Sequence, residues 1–203
     1  MKANAKKETI YANIIMLAVF FFAFLGTEYL FDNCMMYVTD ASGVVRAQNQ
    51  MLGVSAIGFL LYNWISGFLA DKSPWVTGGT GLLAFGVGAG CMGCIILHAG
   101  YVQMMIAGGV LFFLLGVLGA GVHYRMAYSV YDRAMLARCV GFAYAGGIFL
   151  QFLNNNMIHE NHTQAVALCA GAGYLLFVLY TPGRKGSLPC LEQEGGYTIA
   201  GQS

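Results

Sequence analysis

The chain has 203 residues, of which 58% are hydrophobic and only 9% are charged, with a formal net charge of +1 at pH 7. A soluble domain has roughly 25% charged residues, so this composition excludes a water-facing globular surface and indicates a membrane protein. The near-neutral charge, without a basic stripe among the aromatic residues, excludes nucleic acid as a partner.

Six apolar segments predict six membrane-spanning helices, because a bilayer core about 30 Å thick needs about 20 helical residues. We expect one all-α membrane domain at residues 10–181, with a cytoplasmic N-terminus at residues 1–9 and a polar cytoplasmic tail at residues 182–203. The predicted spans are Ile10–Val38, Gln48–Ala70, Val76–Leu97, Val102–Tyr124, Met135–Ile158 and Gln164–Thr181.

The lysines and arginines predict the orientation of these spans. Only Arg46 falls on one side, and all the others fall on the opposite side. Because positive residues stay in the cytoplasm, both termini are predicted to be cytoplasmic, and we expect the plasma (inner) membrane. The residues on the cytoplasmic side are Lys2, Lys6, Lys7, Lys72, Arg125, Arg133, Arg138, Arg184 and Lys185.

The first span contains two acidic residues near its end, in the stretch FLGTEYLFDN. Glu28 and Asp32 are four residues apart, which places them on one face of a helix. An acid inside a bilayer is costly, and like charges this close favour a proton on one of them, as a proton-coupled transporter requires. Alternatively, the span ends earlier and both acids lie among exterior headgroups.

Glycine accounts for 28 residues and is concentrated in the third to fifth spans. In GLLAFGVGAGCMG, Gly86 and Gly90 form a G-x-x-x-G pattern that predicts close helix packing. Cys91 and Cys94 have no second pair of ligands, so we interpret them as packing residues. The loop HENHT lacks the H-E-x-x-H spacing of zinc proteases, and we predict no metal and no cofactor.

Polar residues also occur in the second, fourth and fifth spans. Gln151 and Asn154 stand about 20 Å and 24 Å above Arg138 at 1.5 Å per residue, a level that Glu28 shares. Asn63 is a polar residue of the second span. These residues are candidates for binding a substrate, and the alternative is that they only bond neighbouring helices. The stretch HYR, at the end of the fourth span, predicts an interfacial anchor.

The stretch GFLADKSPW, between the second and third spans, resembles the signature loop of the major facilitator superfamily. Gly67, Asp71 and Lys72 match its Gly-x-x-x-Asp-Arg/Lys pattern, whereas the letters SPW replace its x-Gly-Arg tail. The segment Gly108–Gly147 is similar to the glycine-rich fourth helix, charged loop and fifth helix of that family.

The resemblance implies the N-terminal half of such a transporter, a six-helix bundle made of two inverted three-helix repeats. In that family helices one, two, four and five line the cavity, and an acid in helix one is common, as at Glu28. Phe112 and Phe113 stand where the family often has an arginine, so the resemblance does not extend to a proton relay there.

The resemblance also implies that the loop helps to gate the transporter. Asp71 would pair with neighbouring helix ends, since a carboxylate near a helix N-terminus is stabilised by the macrodipole. The candidate partners of Asp71 and Lys72 at the same membrane face are Arg125, Arg133 and Arg138. Alternatively, Asp71 and Lys72 only keep the loop in water.

Six helices are half of a twelve-helix transporter, in which two bundles enclose the cavity. We expect the second half from the same longer chain, although a partner chain or a second copy in the same orientation would serve. The expected function is a secondary active transporter module for a small molecule, with protons as the candidate coupling ion. The alternative is a non-transporting membrane sensor or scaffold, and no catalytic motif indicates an enzyme.

The orientation can be tested with topology reporters. Alkaline phosphatase fused after Gly183 is expected to be inactive, because the enzyme needs an exterior location, whereas a fluorescent protein fused there is expected to fluoresce. The matched control is a phosphatase fusion after Asp40, which we expect to be active. An active fusion after Gly183 with an inactive fusion after Asp40 would contradict the orientation.

Overall fold

The computed structural model describes residues 2–70, 72–130 and 132–180, and in this part of the chain all regular secondary structure is α-helical. Each of the six helices contains a segment long and apolar enough to cross a membrane, so the chain is an all-helical multi-pass membrane protein. The helices are α1 (Lys2–Met35), α2 (Ala41–Ala70), α3 (Pro74–Ile96), α4 (Tyr101–Ser129), α5 (Arg133–Met157) and α6 (Asn161–Tyr180).

The six predicted helices are confirmed, but several helix ends differ from prediction. The second helix begins at Ala41 rather than Gln48, because Asp40 stabilises its first turn. The Asp40 carboxylate accepts hydrogen bonds from the Ser42 hydroxyl (2.8 Å) and the Gly43 amide (3.0 Å), which hold the pKa of Asp40 below its usual value. Residues 71, 131 and 181–203, including Asp71 and the predicted tail, lie outside the described residues.

The two central helices are α1 and α4. Half of the residues in the most apolar stretch of α1 and 61% of those in α4 are buried, against 17% in α2 and 22% in α5. Helix α1 packs mainly on α5, α6 and α4, and α4 packs mainly on α2, α3 and α1. Helices α3 and α6 also contact each other, so they cover one side of the central pair while α2 and α5 stand on the other.

Glycines bring α2 and α4 into backbone contact. Gly58 on α2 faces the carbonyl of Phe113 and the amide nitrogen of Val117, which would lie 3.2 Å from an added Cβ. On α4, Gly116 faces the carbonyl of Ser55 in the same way. Only residues without a side chain permit this approach, which gives the helices dense contact where lipid provides no hydrophobic driving force.

The contact between α1 and α5 has the same local geometry. Gly147 on α5 faces the carbonyl oxygen of Ala18 and the amide nitrogen of Phe22, at 2.9 and 3.2 Å from an added Cβ. In both crossings a glycine therefore meets the carbonyl of one residue and the amide of the residue four positions later on a central helix.

The packing predicted for Gly86 and Gly90 is wrong. Both glycines are exposed, and a Cβ at either would meet nothing within 4 Å in the described part of the chain. The G-x-x-x-G pattern identifies a smooth helix face but does not say which face meets a neighbour. The contacts of α3 with α4 and α6 use other faces, where Gly88 and Gly173 are in van der Waals range of facing side chains.

Alanine substitutions are expected to distinguish glycines that contact a neighbouring helix from glycines on an exposed helix face. In Gly116→Ala the new methyl group would meet the Ser55 carbonyl, so we expect a loss of about 1–3 kcal/mol of stability from overpacking. Thermal unfolding in detergent measures the loss. Gly90→Ala is the matched control on α3, where the open space predicts no loss. Equal unfolding temperatures for the two variants would contradict the assigned packing.

Candidate functional site

Glu28 and Asp32 both lie within α1, which continues to Met35. The Glu28 carboxylate Oε1 accepts a hydrogen bond of 2.8 Å from Nε2 of Gln48 on α2. Asp32 is half-buried, and its Oδ1 is buried without a hydrogen-bond partner among the described residues. The helix therefore continues past the two acids, and one carboxylate oxygen inside the bundle has no donor among the described residues. Whether both acids lie within the bilayer or among exterior headgroups stays a prediction.

Gln151 and Asn154 lie inside the bundle, on the face of α5 that packs on α1. The Oε1 atom of Gln151 is 2.6 Å from the position that a Cβ of Gly26 would occupy, so this side chain reaches the level of Glu28. Gln151 and Asn154 both donate to Oδ1 of Asn155, at 2.9 and 3.5 Å. Both amides therefore bond within α5, to Asn155, whereas the Glu28 carboxylate bonds to Gln48 on α2.

The described residues that resemble the signature loop are exposed on the bundle. Asn63 and Gly67 are exposed on α2, and a Cβ at Gly67 would meet nothing within 4 Å among the described residues. Lys72 is also exposed and places its Nζ 4.8 Å from the ring centroid of Phe68. Because Asp71 is outside the described residues, its gating role stays a prediction.

The three candidate arginine partners of the loop have different surroundings. Arg125 is half-buried and donates from Nη1 to the carbonyl of Val178 at 3.0 Å, which ties α4 to α6. Arg133 and Arg138 are exposed in the first turns of α5, next to the N-cap Asp132. Arg125 thus has a structural role between two helices, and the pairing of these arginines with Asp71 stays a prediction.

His123, the first residue of the HYR stretch, contacts aromatic side chains of two other helices, which the sequence did not predict. Its ring lies edge-on to Phe20, Phe21 and Phe59, with centroid distances of 5.6, 5.7 and 5.7 Å. Its Nδ1 is 2.7 Å from the carbonyl oxygen of Gly119, which is one turn earlier on α4. His123 is therefore packed between α1, α2 and α4, and its role as an interfacial anchor stays a prediction. No local pattern could have paired it with Phe59.

These residues give the side of the bundle formed by α1, α2, α4 and α5 a distinct chemistry. Tyr144 of α5 extends the aromatic cluster, with its ring 5.1 Å from that of Phe21. The same side has the acids Glu28 and Asp32 near one end and the imidazole of His123 closer to the other. Titratable groups thus stand at two levels along the central helices.

The opposite side of the central pair is apolar. A cavity of about 80 Å³ lies between α1, α3, α4 and α6 and is lined by small and aliphatic side chains such as Ala23, Gly88 and Leu118, with Thr27 as a polar member. No three His, Cys, Asp or Glu side chains of the described residues gather as a metal site would need.

Comparison of the chain with protein-family models, curated proteins and solved structures finds no match.

The hydrogen bond between α1 and α2 is expected to stabilise the fold measurably. In Gln48→Leu the Glu28 carboxylate loses its donor, so we expect a loss of about 0.6–1.7 kcal/mol, the range for interhelical hydrogen bonds in membranes. A double-mutant cycle with Glu28→Leu, which removes the acceptor, followed by thermal unfolding, isolates the pairwise free energy. Gln50→Leu, an exposed position on the same helix, is the control. A coupling free energy of zero would contradict the bond.

Proposed function

We propose that this chain is a six-helix module of a secondary active transporter of the major facilitator type. It moves a small molecule by alternating access together with a second six-helix bundle. The observation that supports this most is the acid pair on α1, in which Glu28 is bonded to α2 and Asp32 has a buried oxygen without a donor. Ionisable residues inside a membrane span are expensive and usually serve a substrate or ion pathway.

The helix contacts support two inverted three-helix repeats. Exchange of α1 with α4, α2 with α5 and α3 with α6 converts the α2–α4 contact into the α5–α1 contact and the α3–α4 contact into the α6–α1 contact. The crossings at Gly58 and Gly147, with their matching carbonyl and amide neighbours, follow the same exchange. Inverted repeats of this kind are common among secondary transporters and allow one bundle to rock against another.

An exposed polar residue on α2 supports a second bundle on the side of α2 and α5. Asn63 is an exposed amide within the membrane segment of α2, and a polar group that faces lipid is unfavourable. If a second half covered α2 and α5, then Asn63, Glu28 and Asp32 would face an aqueous cavity between the two halves. The excess of lysine and arginine on one side of the spans supports cytoplasmic termini and a plasma-membrane location.

The bond between Glu28 and Gln48 suggests how protons would couple to movement. A charged carboxylate accepts the Gln48 donor strongly, whereas a protonated one accepts it weakly, because hydrogen bonds to ionised groups are about twice as strong. Protonation would therefore loosen α1 from α2 near one membrane face. A change at this contact biases which side of the module opens.

A sensor or scaffold without transport is the second candidate, and the environment of Phe112 favours it. Its ring packs edge-on against Phe24 and Phe31, at 5.9 and 5.8 Å, in the interior of the bundle. An arginine in helix four, which the family often has, is replaced here by an aromatic core residue. A scaffold would keep the fold but would have no alternating access.

Alternating access can be tested with single-cysteine reporters at Asn49 and Asn63, two exposed residues near opposite ends of α2. In membrane vesicles of both orientations, we expect an imposed pH gradient to raise labelling by an impermeant maleimide at one reporter and lower it at the other. Glu28→Gln should abolish this response, because the coupling carboxylate is gone.

The matched control is Gly86→Cys on the exposed face of α3, where labelling should not respond to the gradient. Labelling at Asn49 and Asn63 that stays constant in every condition would contradict the transporter and favour the scaffold.

A further inference from the structure

We propose that the interface between α1, α5 and α6 contains an interior site for a small monovalent cation, formed by side-chain amide oxygens. The ligands on α5 and α6 are Gln151, Asn154 and Gln164. The site is separate from the acid pair, and its existence does not depend on the proposed transport activity.

Three side chains at this interface have oxygen atoms without partners. Gln151, Asn154 and Gln164 are 9%, 5% and 4% exposed, so each is more than nine-tenths buried. Their oxygens Oε1, Oδ1 and Oε1 accept no hydrogen bond within the described part of the chain. Buried side-chain acceptors in proteins are nearly always satisfied, and in hydrocarbon an unsatisfied one is costly, so these oxygens require a bound group.

The hydrogen bonds of the amide nitrogens explain why the oxygens are available. Nε2 of Gln151 and Nδ2 of Asn154 both donate to Oδ1 of Asn155, which directs their own oxygens elsewhere. Nε2 of Gln164 donates to the carbonyl of Ile158, just after the end of α5, at 2.6 Å. All three nitrogens are thus engaged, so exchanging O and N in these amides would break existing bonds.

The same interface brings the oxygens to one end of the bundle. Oε1 of Gln151 and the side chain of Leu168 both border the space above Gly26, which has no side chain of its own. Gln164 lies one turn before Leu168 on α6, and Asn154 lies one turn after Gln151 on α5. A hydrogen bond from Asn161 to Cys34 holds the start of α6 against the end of α1.

The chemistry of the oxygens indicates the occupant. The three ligands are neutral amide oxygens, like the carbonyl oxygens that replace the hydration shell of a monovalent ion in channel filters. A calcium site usually contains carboxylates, and Asp32 lies six residues from Gly26, roughly 120° away around α1 at 3.6 residues per turn.

Sodium binding to the purified full chain tests the proposal. We expect a higher unfolding temperature in sodium chloride than in choline chloride at equal ionic strength, because a ligand that binds only the folded state stabilises it. In Gln151→Leu and Asn154→Leu, the sodium concentration at half-maximal stabilisation should rise about tenfold or more. Asn156→Leu, an exposed asparagine two residues from Asn154, is the matched control and should behave like the unaltered chain.

A second variant keeps the test decisive if the leucine variants fail to fold. Asn154→Asp retains an oxygen at the site and adds a negative charge, so we expect calcium to stabilise this variant and not the original chain. Unfolding temperatures that do not depend on the cation in the original chain and in Asn154→Asp would overturn the proposal and assign the oxygens to bound water. Sodium stabilisation that survives both leucine variants unchanged would also overturn it.

Discussion

Backbone contact between helices at glycines is the constraint on which the rest of this structure depends. Lipid is as apolar as the helix surfaces, so only close packing and polar contacts hold the helices together. Gly58 and Gly116 bring α2 against α4, and Gly147 brings α5 against α1. These crossings bury α1 and α4 at the centre and leave most of α2 and α5 uncovered. The central position of α1 in turn determines that Glu28 and Asp32 lie within the bundle rather than on its lipid surface.

The polar side chains of the bundle separate into two groups around α1. The acids lie on the side of α1 near α2, where Gln48 binds Glu28. The amides of Gln151 and Asn154 belong to α5, and Oε1 of Gln151 borders α1 at Gly26. In the proposed transporter, protons and a second cation would therefore act at different helices that both neighbour α1. A movement of α1 would then affect both groups, because both contact the same rigid element.

His123 adds a titratable group at a third position, and its surroundings are aromatic. The rings of Phe20, Phe21 and Phe59 lie in T-shaped contact with the imidazole, on the side of the bundle formed by α1, α2, α4 and α5. Aromatic rings stabilise a nearby positive charge through their quadrupole. The side formed by α1, α2, α4 and α5 therefore combines acids near one end with an aromatic environment nearer the other.

The sequence by itself determined the class of protein, the number of helices and the level of several polar residues. Composition and the length of apolar runs suffice for this, since both are local properties that a bilayer selects directly. The predicted level of Gln151 beside Glu28 also followed from a constant rise per residue. The start of α2 was misplaced because the contribution of Asp40 as a cap was overlooked.

Only the tertiary structure decided which face of each helix meets a neighbour. The G-x-x-x-G of Gly86 and Gly90 faces outward, whereas the single glycines Gly58 and Gly147 make the crossings. His123 contacts residues on two other helices, and Gln164 of α6 donates to the Ile158 carbonyl just after the end of α5. In a chain whose helices are apolar on nearly every face, the spacing of apolar residues does not show how each helix is rotated about its own axis. The rotation of each helix follows instead from side-chain shapes that meet only after the helices pack.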